Sequence, residues 1–251
     1  MFIEPVARFR SPFKTKFGIP RQAGLIPELK GKIVFEPGFR SFDAVRGLEG
    51  FDYIWLIWGF SGNKARSVHR LESVFQATVR PPRLGGNERI GVFASRSPFR
   101  PNGLGLSSVR IESIEYDAKD ETGKQIGPVI NVLGADLMDG TPVYDIKPYV
   151  TYADSHPDAA SGFVDEKEWK PLVVVFADTA TSDMTVTEPA EVIIPGWTEA
   201  DMTALRQALA QDPRPQYQND PGKVYGMMFN NMDVRFKVSG AVLTVVEIKH
   251  I

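Results

Sequence analysis

The residues from Arg80 to Arg110, RPPRLGGNERIGVFASRSPFRPNGLGLSSVR, hold the densest chemistry of the chain. Arg80, Arg83, Arg89, Arg96 and Arg100 face a single acid, Glu88, and Pro and Gly cluster on both sides of the short apolar run Ile90–Ala94. Guanidinium groups fork onto carboxylates and phosphates, while Gly and Pro fix the backbone paths that present them. The segment therefore reads as two extended electropositive loops around a strand, suited to an anion, a cofactor or a nucleic acid. A rigid, solvated connection between two strands is the plainer alternative.

A second candidate is acidic. Asp136, Asp139 and Asp145 lie within GADLMDGTPVYDIKPY, where Asp139-Gly140-Thr141-Pro142 has the composition of a turn whose Asp bonds its own backbone. The spacing does not match an EF-hand loop, and complementing a cationic group on a ligand is the third use. Asp212-Pro213-Arg214-Pro215-Gln216-Tyr217 can offer Arg214 to phosphate and Tyr217 to a base face, or serve as a stiff helix-to-strand connector. Arg235 and Lys237 alternate with apolar residues and read as a solvated strand face. His69, His156 and His250 lack metal-ligand spacing, and with no cysteine there is no thiolate or cysteine-held metal, so no metal site is expected. The absence of GxGxxG, Walker and GxSxG motifs argues against a nucleotide-binding α/β fold.

Positioning these groups falls mainly to strands. Phe2–Phe9, Lys32–Phe35, Tyr53–Phe60 (apolar enough for burial on both faces), Ile90–Ala94, Leu106–Tyr116 and Gln125–Leu133 read as strands, and Phe42–Leu48 as a short helix behind Ser41. Arg10–Leu29 is a long irregular loop, a length that often marks function. Hardly any helix and long loops imply a small antiparallel barrel or sandwich for residues 1–150. Tyr152–Lys170 shifts to Ala, Ser, Asp and Glu, a linker composition. Beyond it come a strand at Leu172–Ala177 and a helix at Thr198–Ala210, opened by a Thr198/Asp201 capping pair. Alternating runs around Val224–Val238 with a turn at Asn230-Asn231, and a last strand at Val242–Ile248, complete a small α+β domain over 171–251.

The net charge of −2 conceals a split: Met1–Arg110 carries 18 Lys and Arg against 8 Asp and Glu, the remainder 11 against 23. An anionic partner for the first half explains the asymmetry, as does mutual neutralisation within the fold. No apolar run approaches a membrane span, and MFIEPVARFRSP lacks the apolar core of a signal peptide, so a cytoplasmic protein is expected.

Taken together, RSPFK, IPRQAGL, DAVRGLEGF, TVRPPRLGG, RIGVFASRSPFRPN, DLMDGTPVYDIKPY and LAQDPRPQY resemble the bacterial tRNA N6-threonylcarbamoyladenosine methyltransferases with a TsaA-like barrel domain, over nearly the whole chain. Ser61-Gly62-Asn63 stands where that family often has His, and the segment through Gln76 is longer. The resemblance implies a mainly β protein: a single-sheeted antiparallel β-barrel over residues 1–150 that forms a homodimer, with the α+β domain contacting tRNA. It implies S-adenosylmethionine against Gln22, Ala23, Gly24, Leu25, Ser61, Gly62, Arg96, Ser108, Asp136, Leu137, Met138 and Asp139. The implied reaction is methyl transfer to N6 of threonylcarbamoyladenosine at position 37, beside the tRNA anticodon. Asp139 and Tyr149 are candidates to take the proton, Arg83 and Arg100 to meet the threonyl carboxylate, and Arg214 and Tyr217 to contact tRNA. The competing readings are a non-enzymatic RNA-binding module and a methyltransferase of another RNA or small molecule.

Overall fold

The computed structural model describes residues 3–62, 76–81, 84, 88–166, 170–177, 185–187, 191–214 and 220–251. The chain divides into two compact units, neither continuous in sequence. One comprises Met1–Arg10, Lys32–Val132 and Gly140–Trp169, the other Ser11–Gly31, Leu133–Asp139 and Lys170–Ile251.

The first unit holds β1 (Ala7–Arg10), β2 (Lys30–Phe35), β3 (Tyr53–Gly59), β4 (Thr78–Val79), β5 (Ile90–Gly91), β6 (Leu104–Glu115), β7 (Val129–Leu133) and β8 (Pro142–Pro148). Six of these strands close into a ring in the order β1-β2-β7-β6-β3-β8, with β8 pairing back onto β1 through Ala7↔Val143 and Arg8↔Pro142. β4 and β5 form a separate two-stranded sheet, so the expected single-sheeted N-terminal domain is corrected to a ring plus a second sheet.

β3 shows why the ring holds. Along YIWLIWG, Ile54, Leu56 and Trp58 are buried while Tyr53 is exposed and Trp55 and Ile57 are half-buried, the two-residue period of a sheet with one face inward. Burial on both faces, expected from the apolar run, is therefore corrected. Trp58 lies over Gly105, its register partner, where an added Cβ would come within 2.3 Å of the indole. The indole N–H donates to Ser107 Oγ at 3.0 Å, which satisfies its polar edge inside the core.

Two other expectations change for local reasons. In Ile90–Ala94 only Ile90–Gly91 is extended, and Val92–Ala94 forms a 3-10 turn with Phe93 exposed. Ser95 N–H, Ser95 Oγ and Arg100 Nη1 all donate to the Val92 carbonyl, removing the acceptor a ladder would use. The helix α1 spans only Phe42–Val45, since Gly47 sits at φ +89°. Two further short helices, α2 (Thr151–Asp154) and α3 (Phe163–Glu166), follow the ring.

β1 and β3 end, and β2, β6 and β8 begin, at one end of the ring, as their antiparallel registers require. The Gly134 N–H donates to Leu29 O at 2.9 Å, which brings the close of β7 to the same end. After β1 the chain passes into the second unit for residues 11–31, and it does so again within residues 133–139 after β7.

The second unit contains β9 (Val173–Phe176), β10 (Thr185–Thr187), β11 (Glu191–Ile193), α4 (Glu199–Ala210), β12 (Tyr225–Phe229), β13 (Met232–Ser239) and β14 (Val242–His250). β12, β13, β14 and β9 form one sheet, in which β9 runs parallel to β14. Thr198 caps α4 in a reciprocal box with Asp201, and Leu205 and Leu209 are buried on its inner face, as the sequence pattern predicts. Asn230 and Asn231 both take positive φ, the geometry of a tight hairpin turn. The core of this unit also takes in Phe13, Ile26 and Leu29, from the segment read as an irregular loop.

Candidate cofactor and nucleic-acid site

In the second unit, the turn Gln22–Leu25 is tied to the start of the acidic loop. Gly24, at φ +82°, donates its N–H to Gly134 O at 2.8 Å. Gly134 is at φ +78°, and a Cβ on it would lie 3.6 Å from both Cα and N of Gly24. Two backbones meet here through two glycines in the left-handed region, which side chains rarely adopt. Gln22 and Ala23 are half-buried, Gly24 and Leu25 are exposed, and space beside Gly24 is open. Four residues after Gly24 in the chain, Glu28 Oε2 is buried with no hydrogen-bond partner among the described residues. A buried acceptor in that state is matched to a donor or a cation. Sequence reasoning passed over Glu28, although it is the only acid between Arg10 and Leu29.

The acidic loop follows. Asp136 and Met138 are half-buried, and Leu137 is buried, leaving its backbone as the part that can face a ligand. Asp139 accepts from the Ser11 N–H on Oδ1 and from Lys14 Nζ on Oδ2, both at 3.1 Å, while its own N–H donates to Phe13 O at 2.9 Å. Phe13 in turn stacks edge-on against Phe229 at 5.2 Å. Gly18 rests on Met227 so closely that a Cβ would come 2.1 Å from the sulfur. Asn230 N–H donates to Pro12 O at 3.0 Å. The C-terminal sheet is thus the bed on which residues 11–31 and 133–139 are laid. Periodicity and local motifs carry no signal for that.

In the first unit, Ser61 and Gly62 are exposed at the end of β3, with Ser61 Oγ 3.5 Å from Thr141 Oγ1. Thr141 is buried and polar, a partner the sequence did not single out. Arg96 is exposed on the loop after the 3-10 turn. Arg100 braces that loop, donating to the Val92 and Ser95 carbonyls and lying 5.9 Å over the Phe93 ring. Ser108 pairs with Trp55 in mid-strand, six residues before Ser61 and so about 20 Å away at the rise of a strand. Arg83 and Tyr217 lie outside the described residues.

Tyr149 stands at the far end of β8 from Thr141, about 25 Å along an extended strand. Its ring packs 5.8 Å from Trp55 and 6.2 Å from Tyr53. Tyr149 belongs to the first unit and Asp139 to the second. Asp154 secures the Tyr149 surroundings, accepting from Val150 N–H at 2.8 Å and Trp55 Nε1–H at 3.0 Å. These bonds, the backbone one first, hold the Asp154 carboxyl below the usual aspartate range. A depressed carboxylate stabilises the fold above its unfolded pKa and loses that contribution as pH falls through the folded value. The Trp55 indole N–H resonance is accordingly expected to keep its hydrogen-bonded shift through the ordinary aspartate range and to move only in stronger acid. Movement of that resonance at ordinary aspartate pH would show that the clamp is not formed.

Arg214 is ion-paired to Asp212 in the second unit, Nε to Oδ1 at 2.8 Å and Nη2 to Oδ2 at 2.9 Å, with its side chain 10% exposed. Among the described residues no three His, Asp or Glu side chains group as metal ligands, and no helix is long and apolar enough to cross a membrane.

A closed ring of strands in the first unit and a four-stranded sheet with one helix in the second define a mainly β protein. Family models place it further: residues 8–155 match the tRNA-methyltransferase O N-terminal domain and residues 170–251 the TrmO C-terminal domain. The chain belongs to the tRNA-methyltransferase O family. It is 37% identical over 240 residues to the tRNA (adenine(37)-N6)-methyltransferase of Escherichia coli K12, covering 95% of this chain and 93% of the relative. A human tRNA (adenine(37)-N6)-methyltransferase is 34% identical over 161 residues, 62% of this chain and 31% of that protein. The crystal structure of TrmO from Pseudomonas aeruginosa superposes with a TM-score of 0.71 at 30% identity, covering 99% of this chain and 98% of that one.

Proposed function

We propose that the protein is an S-adenosylmethionine-dependent methyltransferase that methylates N6 of threonylcarbamoyladenosine at position 37 of tRNA. Family membership supports tRNA methylation, and the observation that carries the cofactor assignment is the glycine-built turn, followed four residues after Gly24 by a buried carboxylate oxygen on Glu28 with no hydrogen-bond partner among the described residues. When bound, the cofactor supplies an electrophilic methyl group on a cationic sulfur. Glu28 and Asp136 are the carboxylates we assign to its cationic and hydroxyl groups. The backbone of Gln22–Leu25 and Leu137–Met138 admits the adenosine. Arg96, with Ser61 and Gly62, is assigned to cofactor contact by the family resemblance, the guanidinium for the methionine carboxylate; Ser108, in mid-strand about 20 Å from Ser61, is left out of that set.

The substrate nitrogen is conjugated to the purine and to a carbonyl, so it becomes a nucleophile only as its proton leaves. Orientation of the two reactants supplies most of the acceleration such a transfer needs. Arg83 and Arg100 are assigned to the threonyl carboxylate, Arg100 through the part of its guanidinium that does not brace the loop. We further propose that the ring is the TsaA-like barrel, that two copies associate, and that the protein works in the cytoplasm.

Purified protein with methyl-labelled S-adenosylmethionine is expected to label tRNA carrying the threonylcarbamoyl group, and not the same tRNA lacking it. Equal labelling of both would overturn the substrate assignment. No labelling despite cofactor heat in calorimetry would point to another substrate, and no heat at all to an RNA-binding module without catalysis.

A further inference from the structure

Between Val92 and Gly103 the first unit exposes two phenylalanines, Phe93 at 70% and Phe99 at 53%. One exposed apolar side chain is ordinary, but these two share a loop whose backbone is fixed throughout. Ser95 Oγ donates to Val92 O at 2.8 Å, and Ser97 N–H to Ser95 Oγ at 3.3 Å. Phe99 N–H in turn donates to Ser97 Oγ at 3.2 Å, while Arg100 Nη1 reaches back to the Ser95 carbonyl. Pro98 and Pro101 flank the pair Phe99-Arg100 and fix φ on either side of it. The far end of the loop is tied to the ring. Phe60 N–H donates to Gly103 O at 2.9 Å, directly before Ser61 and Gly62 in the chain.

Core packing does not account for the two rings. Phe93 has the Arg100 guanidinium 5.9 Å over its face, whereas no ring or cation stacks on Phe99 among the described residues. Apolar area left in water on a rigid loop marks a surface that another molecule covers. The surrounding charge says which kind. Residues 89–103 carry Arg89, Arg96 and Arg100 and no Asp or Glu. A second copy meeting this loop isologously would set those cations against their own counterparts, at a cost. Aromatic faces interleaved with arginines match a single-stranded nucleic acid, whose bases stack while its phosphates meet the cations.

We propose that Phe99 is the stacking partner of an unpaired nucleobase in the RNA substrate, on the loop joined to the strand end assigned to the methyl donor. This deepens the tRNA reading and rests on RNA being the substrate, though not on which base is methylated. It makes the loop a selector for unpaired RNA, because a base inside a duplex has no free face to offer.

Binding of an anticodon stem-loop hairpin and of a fully paired RNA duplex of equal length, over a range of KCl without cofactor, tests this. Phe99→Ala is expected to weaken hairpin binding about 5- to 150-fold at every salt concentration. The slope of log K against log salt should not change, since no charge is removed. Duplex binding should stay at wild type. Phe99→Trp should keep hairpin affinity, and so should Tyr152→Ala, which removes an exposed aromatic from α2. 2-Aminopurine at successive hairpin-loop positions reads stacking itself: at one of them wild type and Phe99→Trp should quench its fluorescence, and saturating Phe99→Ala should not. Wild-type affinity and quenching in Phe99→Ala would overturn the assignment, as would equal losses on hairpin and duplex. Unchanged RNA binding with a lower sedimenting mass in Phe99→Ala would assign the ring to a contact between copies and overturn it as well. Failure of the RNA reading itself looks different and overturns both, because the wild-type protein would then bind neither RNA.

Discussion

Phe13→Ala is expected to weaken cofactor binding by more than tenfold, although Phe13 is buried in the second unit's hydrophobic core. The ring is 0% exposed and meets Phe229 edge-on at 5.2 Å, so truncation removes a large aromatic from a packed core and costs about 3–5 kcal/mol. That is a large share of the roughly 5–15 kcal/mol by which a domain is stable. The functional loss follows from the backbone. Phe13 O accepts the Asp139 N–H, and Phe13 N–H donates to Ser11 Oγ, next to the Ser11 N–H that binds the Asp139 carboxylate. Releasing the ring loosens residues on both sides of the proposed cofactor turn, which must then be ordered at the expense of binding energy.

A matched core variant separates this from simple destabilisation. Leu243 is 0% exposed in the same core, opposite Val238 and well along the hairpin from the Asn230 turn. Leu243→Ala should cost about 2–5 kcal/mol and lower the melting temperature comparably. Calorimetry below both melting temperatures should find its cofactor affinity within about twofold of wild type, a free-energy change of under half a kcal/mol. Equal losses in the two variants would mean that residues 11–31 have no special role in cofactor binding.

Residues 11–31 also mark where the sequence was legible and where it was not. The capping box at Thr198, the alternation of Met232–Ser239 and the Asn230-Asn231 turn are written in residues that are neighbours in the chain, and all three form as their patterns require. The arginine-rich loops and the glycine at position 24 were likewise visible as composition. What no local pattern contains is partnership. Residues 11–31 have no period because their partners lie elsewhere: Phe13 answers to Phe229, Gly18 to Met227 and Gly24 to Gly134. Ile90–Ala94 misled in the opposite sense, since it has strand composition but loses its acceptor to Ser95 and Arg100. For the same reason Glu28, Lys14 and Thr141 went unnoticed: each is unremarkable until a buried environment or a distant partner defines it.

Asp139→Asn tests whether the acidic loop supplies chemistry or shape. Both carboxylate oxygens hold donors, the Ser11 N–H on one and the Lys14 ammonium on the other, and the side chain is 17% exposed. An amide of the same size has only one acceptor atom. Whichever way it turns, its NH₂ faces either an N–H or an ammonium, so one charge-assisted bond is replaced by two opposed donors. Such bonds contribute about 1.5–3 kcal/mol. If Asp139 shapes the turn that receives the cofactor, the cofactor dissociation constant rises about 10- to 150-fold while kcat at saturating cofactor changes by less than about threefold. Lys14→Ala should then show an affinity loss of the same kind, because it removes the other half of the clasp. A general base behaves differently: its loss lowers kcat by about 10²–10⁴ at any cofactor concentration, and removing Lys14 does not reproduce that. Tyr149→Phe completes the comparison, since its hydroxyl belongs to the opposite end of β8 and its removal should leave kcat unchanged. A fall in kcat confined to Asp139→Asn would restore that carboxylate as the proton acceptor, whereas parallel affinity losses in Asp139→Asn and Lys14→Ala identify it as the clasp of the cofactor turn.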